Sequence, residues 1–292
     1  MKVIFNIMSF NQKILIIALL LVAIPIAGIW YKKIHRYVPP PPKQREEVTV
    51  TIIPGWNLRQ IAADWKQKGF IKSEDELYGI LGKPAYNYKA YNEYAPDLNL
   101  VDENGVDLYP LLKTKTPYVS YEGYLMPDTY RVYKDAKIFD ILRKIFTNLE
   151  GKITPEMRVE MEKQGKSFFE VLTVASIVEK EAPTADMPIV ADIFWRRYNK
   201  NWALQSCATV NYCTGKNDPA VSNEDKEIDS LFNTYKYPGL PLGPISNPSL
   251  AAIKAALYPE KNNYWYFLSD KEGVMHYAKT LEEHNYNVHK YL

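Results

Sequence analysis

Cysteine is nearly absent from this chain, and the two present, Cys207 and Cys213, support neither a disulfide framework nor a metal-type cluster. On a continuous helix two residues six apart point in different directions, whereas across a turn in an oxidising compartment they could bridge. Histidine is equally sparse. His35, His276, His284 and His289 show no HExxH or comparable ligand spacing, so no metal and no cofactor is expected. An excess of charge of one sign is missing too: 36 basic against 34 acidic residues leave +2, which argues against a polyanionic partner such as nucleic acid. Apolar residues are not scarce. With 47% hydrophobic residues, a chain of 292 is not compositionally disordered and can supply a membrane segment plus one or two cored domains.

What is plentiful is the ring with a polar tip. Twenty-three tyrosines and six tryptophans serve mostly as core and packing, but rings of this type also lie against sugar faces. A single long apolar run, Ile14 to Trp30, carries no charge over about 17 residues, the short end of what spans a bilayer. Lys13 bounds it on one side and Lys32, Lys33 and Arg36 on the other. No clear small-x-small cleavage site follows, so residues 1–36 read as a tail and uncleaved anchor rather than a signal peptide. Basic residues are denser after the run, and the positive-inside tendency taken literally would keep the large domain in the cytoplasm. Pro39 to Pro42 and the charged Lys43 to Glu47 make residues 37–47 a semi-rigid linker.

Beyond the linker the chain reads as α+β. Val48, Val50 and Ile52 alternate with threonines as in a strand, Pro54-Gly55 is a turn, and Asn57 caps a helix bearing Leu58, Ile61, Ala62 and Trp65 that ends at Gly69. From Tyr78 to Pro117 weak periodicity predicts only loops and short pieces. Tyr121 to Tyr133 is a shaped loop leading into a strand, with Glu122 and Asp128 either lining a groove or capping local amides. Ile138, Ile141, Leu142, Ile145, Phe146 and Leu149 form an amphipathic helix closed by Gly151, and Pro155 starts another that ends at Gly165. Asp186 caps a further helix, and Ser249 caps one carrying Leu250, Ile253 and Leu257. Tyr264 to Leu268 and Met275 to Ala278 form a hairpin, followed by a terminal helix opened by Thr280-x-x-Glu283.

The stretch Ser167 to Glu181 holds the chemistry. Ser167 and Glu170 make a capping box, and apolar residues at 168, 171, 172, 175 and 178 recur at helical spacing. Pro183 stops the helix near Glu181, where the dipole and partial burial both favour a protonated carboxyl, the form a general acid needs. Spacing alone leaves Glu179 and Glu181 equivalent. Leu204 to Tyr212 has little helical character and many small hydrogen-bonding side chains. With Asn233 to Lys236 and the Pro/Gly-dense Pro238 to Pro248, it offers rigid loops suited to sugar hydroxyl and acetamido groups.

These blocks, in this order, resemble the MltG/YceG-like endolytic peptidoglycan transglycosylases: Glu122-Gly123 with Pro127-Asp128-Thr129-Tyr130; Ala175 to Glu181; Leu204-Gln205-Ser206 with Thr209-Val210 and Tyr212; Asn233-Thr234-Tyr235; Gly239-Leu240-Pro241 with Gly243-Pro244-Ile245 and Asn247-Pro248; and Tyr264 to Phe267 followed by His276 and His284. The resemblance implies a small LysM-like strand-turn-helix subdomain over 48–115 and a mixed α/β catalytic domain over 116–292. By resemblance the catalytic glutamate is the second of the Glu-Lys-Glu triplet, Glu181. Gln205, Ser206, Thr209, Tyr212, Asn233, Tyr235, Asn247, Glu122 and Asp128 are the substrate-binding candidates. The implied reaction cuts the bond between N-acetylmuramic acid and N-acetylglucosamine, leaves 1,6-anhydro ends and terminates glycan elongation.

The implied partners are peptidoglycan strands, the membrane through one helix, and penicillin-binding proteins or other wall synthases. The implied location is the cell membrane with the domain outside, overriding the charge count. Three departures stand out. Cys207-Ala208 replaces the family's frequent Asp-Pro, which motivates a non-catalytic scaffold as the alternative; Leu242 replaces a proline; and the strand-turn-helix unit occurs once rather than twice. An ordinary muramidase is the enzymatic alternative.

Overall fold

The structure, a computed structural model, describes residues 9–35, 45–218 and 221–292, so most of the expected linker lies outside the described residues. The chain divides into two units, residues 1–45 and 46–292. In the first, helix α1 spans Phe10–Ile34, opened by a Ser9–Gln12 capping box and with Lys32 and Lys33 in its last turn. None of its side chains is buried and its mean hydropathy reaches 2.6 over 18 residues, so it is long and apolar enough to cross a membrane.

The second unit mixes helices with two small sheets. Strand β1 (Glu47–Ile52) leads through a turn into helix α2 (Leu58–Gln67), as the alternation and the Asn57 cap predict. Helix α3 (Glu74–Leu81) follows where irregular chain is expected from Tyr78 on. Three acidic residues in its first turn favour it, and Gly82 at φ +90° ends it. Strand β2 (Asp128–Tyr133) pairs antiparallel with β1, Val50 opposite Tyr130. Residues before and after position 115 therefore share one core, from Val50, Leu58 and Trp65 to Tyr121, Leu125 and Phe146.

Helices α4 (Ile138–Lys152) and α5 (Pro155–Gln164) come next. Helix α4 runs through Gly151, because a single glycine costs a helix only about 1 kcal/mol and Leu149 and Ile153 are held in the core. Helix α6 (Phe168–Glu181) starts at the predicted capping box and ends at the predicted residue. Its burial exceeds one stripe: Val171 through Val178 are all buried, because α7 (Met187–Asn199) and α10 (Leu250–Leu257) both pack on it. Thr173 and Ser176 are tolerated there because their hydroxyls bond to Phe169 O (2.8 Å) and Thr173 O (2.7 Å).

Helix α8 (Cys207–Thr214) occupies the stretch read as having little helical character, and Gly215 at φ +74° closes it. Cys207 and Cys213 are free, near opposite ends of this one helix. A short helix α9 (Asn223–Lys226), the hairpin β3 (Tyr266–Ser269) with β4 (Met275–Ala278), and α11 (Leu281–Tyr291) complete the unit. The Pro/Gly loop before α10 is fixed to α6 through Ser176, whose Oγ accepts from Ile245 N (3.0 Å) and whose carbonyl accepts from Ser246 Oγ (3.0 Å). Gly123 lies so close to Pro244 that a Cβ there would come within 2.7 Å of the proline ring, which accounts for glycine at that position.

Candidate active site

Glu181 ends α6 beside the start of α8. Its Oε1 accepts from Ser206 Oγ and, at 3.4 Å, from Ala208 N, while Oε2 has no hydrogen bond among the described residues. The carboxyl lines a cavity of about 400 Å³ with Gly55, Asn57 and Arg59 on one wall and Cys207, Ala208 and Tyr212 on another. Burial is the dominant influence and pushes its pKa up; the Ser206 and Ala208 hydrogen bonds and the charges of Arg197 and Lys180 oppose it without cancelling it. Glu181 thus faces opposed dipoles. The C-terminus of α6 favours its protonated form, and the N-terminus of α8 favours the carboxylate.

Glu179 is differently employed. Its Oε2 accepts from Ser249 N (2.9 Å) and Ser249 Oγ (2.6 Å), joining α6 to the start of α10. The structure therefore separates two glutamates that spacing leaves equivalent: Glu181 lines the cavity, Glu179 ties two helices together.

The other candidates fall into three groups. Ser206, with Gln205 before it in the chain, and Tyr235 lie around the start of α8, where Ser206 bonds to Glu181. Gln205 is exposed, with its backbone at φ +53° and its N–H on Thr234 O at 3.1 Å. Tyr235 OH meets Cys207 Sγ at 3.1 Å, and burial pushes its phenol pKa up. Thr209, Tyr212, Asn233, Asn247 and Glu122 face inward. Thr209 Oγ1 bonds to Ser206 O (2.8 Å) and to Thr234 Oγ1 (2.9 Å), which pins the start of α8. Asn233 donates to Lys226 O (2.8 Å) and Ile228 O (2.9 Å) and accepts from Tyr235 N (3.0 Å). Asn247 donates to Trp56 O (2.9 Å) and Glu122 Oε1 (3.0 Å) and accepts from Leu125 N (2.9 Å).

Glu122 is buried and also accepts from Leu58 N (3.1 and 3.0 Å) and Tyr212 OH (3.1 Å); burial raises its pKa to about 7. Asp128 stands apart. It is exposed at the start of β2, bonded to Lys152 Nζ (2.8 Å) and Asn148 Nδ2 (3.1 Å), and lines a different depression.

Residues 31–290 match the model of the YceG-like family. The chain belongs to that family. An endolytic murein transglycosylase of Bacillus subtilis is 39% identical over 173 residues, 59% of this chain and 48% of the relative. One from Streptococcus pneumoniae is 30% identical over 260 residues, 85% of this chain and 45% of the relative. The chain thus spans about half the length of the curated relatives it matches. The crystal structure of a YceG-like protein from Listeria monocytogenes superposes with a TM-score of 0.63 at 31% identity, covering 82% of this chain and 75% of that one.

Within this YceG-like fold, sequence reasoning missed one cavity wall. Asn57 is readable as a helix cap, but nothing local indicates that the following turn of α2 reaches the glutamate's cavity. Arg59 donates to Tyr212 O (3.0 Å) and so joins α2 to α8; Lys180, next to Glu181, is exposed at the same cavity. No group of three or more His, Cys, Asp or Glu poised for a metal occurs among the described residues.

Proposed function

We propose that this chain is a membrane-anchored endolytic murein transglycosylase in which Glu181 acts alone as acid and then base. The observation that carries the reading is the asymmetry of that carboxyl: Oε1 is held by Ser206 and Ala208 and Oε2 has no bond among the described residues, whereas the buried carboxylates Glu122, Asp192 and Asp225 each have both oxygens occupied. The names of the curated relatives support the same reaction. Protonated Glu181 gives its proton to the oxygen joining N-acetylmuramic acid to N-acetylglucosamine, and that bond breaks. The resulting carboxylate takes the proton of the muramyl C6 hydroxyl as its oxygen closes on C1, giving a 1,6-anhydro end without water.

An internal nucleophile provides the proximity that a second carboxylate or a bound water supplies in ordinary glycosidases. Ser206, the Ala208 amide and the Arg197 charge favour the carboxylate that exists between the two transfers. In this reading Ser206, Gln205 and Tyr235 meet the sugar. Thr209, Tyr212, Asn233, Asn247 and Glu122 act through the loops they hold, and Asp128 serves the β2–α4 surface. The single LysM-like strand-turn-helix unit serves as a cleft wall, so grip on the glycan falls to the cleft itself.

Glu181→Gln keeps the shape and removes proton transfer. Mass spectrometry of muropeptides released from purified sacculi should find anhydro ends with the wild-type chain and none with the variant; equal release by both would refute the assignment. Binding of glycan strands without any cleavage by the wild type would point to a scaffold for penicillin-binding proteins or other wall synthases. Helix α1 is the proposed single-pass anchor in the cell membrane, with the domain outside. Protease added to intact spheroplasts should then remove residues 46–292, and protection would contradict that orientation.

A further inference from the structure

Where Ser206 turns inward to Glu181, the neighbouring Gln205 lines a second cavity, of about 370 Å³, with Arg197, Trp202, Tyr266 and Leu281 among its walls. Two large apolar groups are exposed here, Trp202 at 45% and Leu281 at 51%. Trp202 is nonetheless fixed. It stands edge-on to Trp265, with centroids 5.0 Å apart, and to Tyr266 at 6.1 Å. Arg197 forms a buried base, donating to Leu204 O and Trp265 O, and its charge acts on Glu181.

Gln205 sits at φ +53°, a left-handed conformation that a residue other than glycine keeps only where its surroundings over-determine it. Its side-chain amide has no hydrogen-bond partner among the described residues, although its backbone is anchored to Thr234. An exposed, immobilised ring beside an unpartnered amide is a poor use of surface for packing alone. It matches a pyranose, which has an apolar face for the ring and hydroxyl or acetamido groups for the amide.

We propose that Trp202, Tyr266 and Gln205 form a saccharide subsite adjoining the Glu181 cavity, which takes a further hexosamine ring of the same glycan strand. The proposal rests on the reading of Glu181 as acting on peptidoglycan glycan. A polymer whose scissile bond lies at Glu181 extends past it, and residues 205 and 206 join the two cavities within one loop. The subsite makes affinity depend on strand length, because a short saccharide centred on Glu181 does not reach it.

The test uses the full chain in detergent with Glu181→Gln in place, so that ligand is not consumed, and peptide-free N-acetylglucosamine–N-acetylmuramic acid oligomers titrated by calorimetry. A hexasaccharide should bind about tenfold more weakly when Trp202→Ala is added, and within threefold of the parent with Trp202→Phe. A disaccharide should lose less than twofold with either. Gln205→Ala, which leaves the rings in place, should weaken hexasaccharide binding severalfold and provides the readout should Trp202→Ala fail to fold. Hexasaccharide affinity unchanged by Trp202→Ala, or by Gln205→Ala, overturns the subsite and leaves the Glu181 reading standing. A folded Glu181→Gln chain that binds no oligomer of any length overturns both.

Discussion

Glu181 and Glu122 are both carboxyls whose pKa is raised by burial, yet their surroundings differ in kind. Glu122 joins three elements: Leu58 N at the start of α2, Asn247 in the Pro/Gly loop and Tyr212 on α8 all donate to it. Both of its oxygens are occupied, and it is not among the residues that line the cavity at Glu181. Glu181 has one oxygen held and one without a bond among the described residues, in a cavity whose walls those same elements supply. A raised pKa by itself therefore identifies nothing. What distinguishes an acid ready to transfer a proton from a structural carboxyl is an unoccupied oxygen facing space where a substrate fits.

The comparison breaks most sharply on exchange of the two groups. Glu181→Gln should lower the rate of product release by about 10³-fold, within the range for loss of a general acid, with little change in the urea midpoint. Glu122→Ala should do the reverse in kind, costing about 3–5 kcal/mol of stability in urea unfolding, because it strands several buried donors. An equal loss of activity and stability in both variants would erase the distinction. Glu122 also predicts a pH signature. Its folded pKa of about 7 lies above the usual 4.5, so the folded chain holds the extra proton between those values and stability falls as pH rises through that window. The wild-type decline should flatten in Glu122→Gln, with Glu181 accounting for what remains.

Ser206→Ala tests the held oxygen of Glu181. Its hydroxyl bond lowers the Glu181 pKa, so removing it raises that pKa further. On the proposed mechanism activity requires the protonated form and is lost as pH rises through the folded pKa. The alkaline fall of the pH–rate profile should therefore move to higher pH, with about a tenfold lower maximum. An unmoved profile would mean that Ser206 does not act on Glu181. The smallest effect belongs to Asp218, the other carboxylate lining the cavity, which is exposed. Asp218→Asn should leave the rate within about threefold, whereas a loss like that of Glu181→Gln would indicate a two-carboxylate mechanism.

Much of this fold is legible locally. The Asn57 cap, the Ser167 capping box, the Thr280 cap, Pro155 with Gly165, and the hairpin at Tyr266–Ala278 are written in neighbouring residues, and the structure follows them. Helix α8 was not legible. Its Thr, Asn, Cys and Tyr are mediocre helix formers without a clear stripe, and what fixes its start is tertiary, the Ser206–Thr209–Thr234 bonding. Asp186 starts α7 without a side-chain cap bond, because its carboxylate accepts from Tyr277 OH (2.6 Å).

In the candidate site, spacing alone leaves Glu179 and Glu181 equivalent, because what separates them is tertiary: the Ser249 that binds Glu179 lies 70 residues away. Asn233 and Asn247 look like sugar-binding amides in sequence. In the structure their side chains satisfy the backbone of irregular loops, which have no ladder of their own. Arg59 was invisible because only long-range packing brings α2 beside α8.

The most direct measurement of the central claim follows the fate of solvent oxygen. Sacculi digested by the wild-type chain in ¹⁸O-labelled water and analysed by mass spectrometry should yield muramyl ends lighter than reducing ends by one water and free of ¹⁸O, because the C6 oxygen closes on C1. Reducing ends carrying ¹⁸O would contradict the account, since they would mean that water, activated by a second group, attacks the bond beside Glu181.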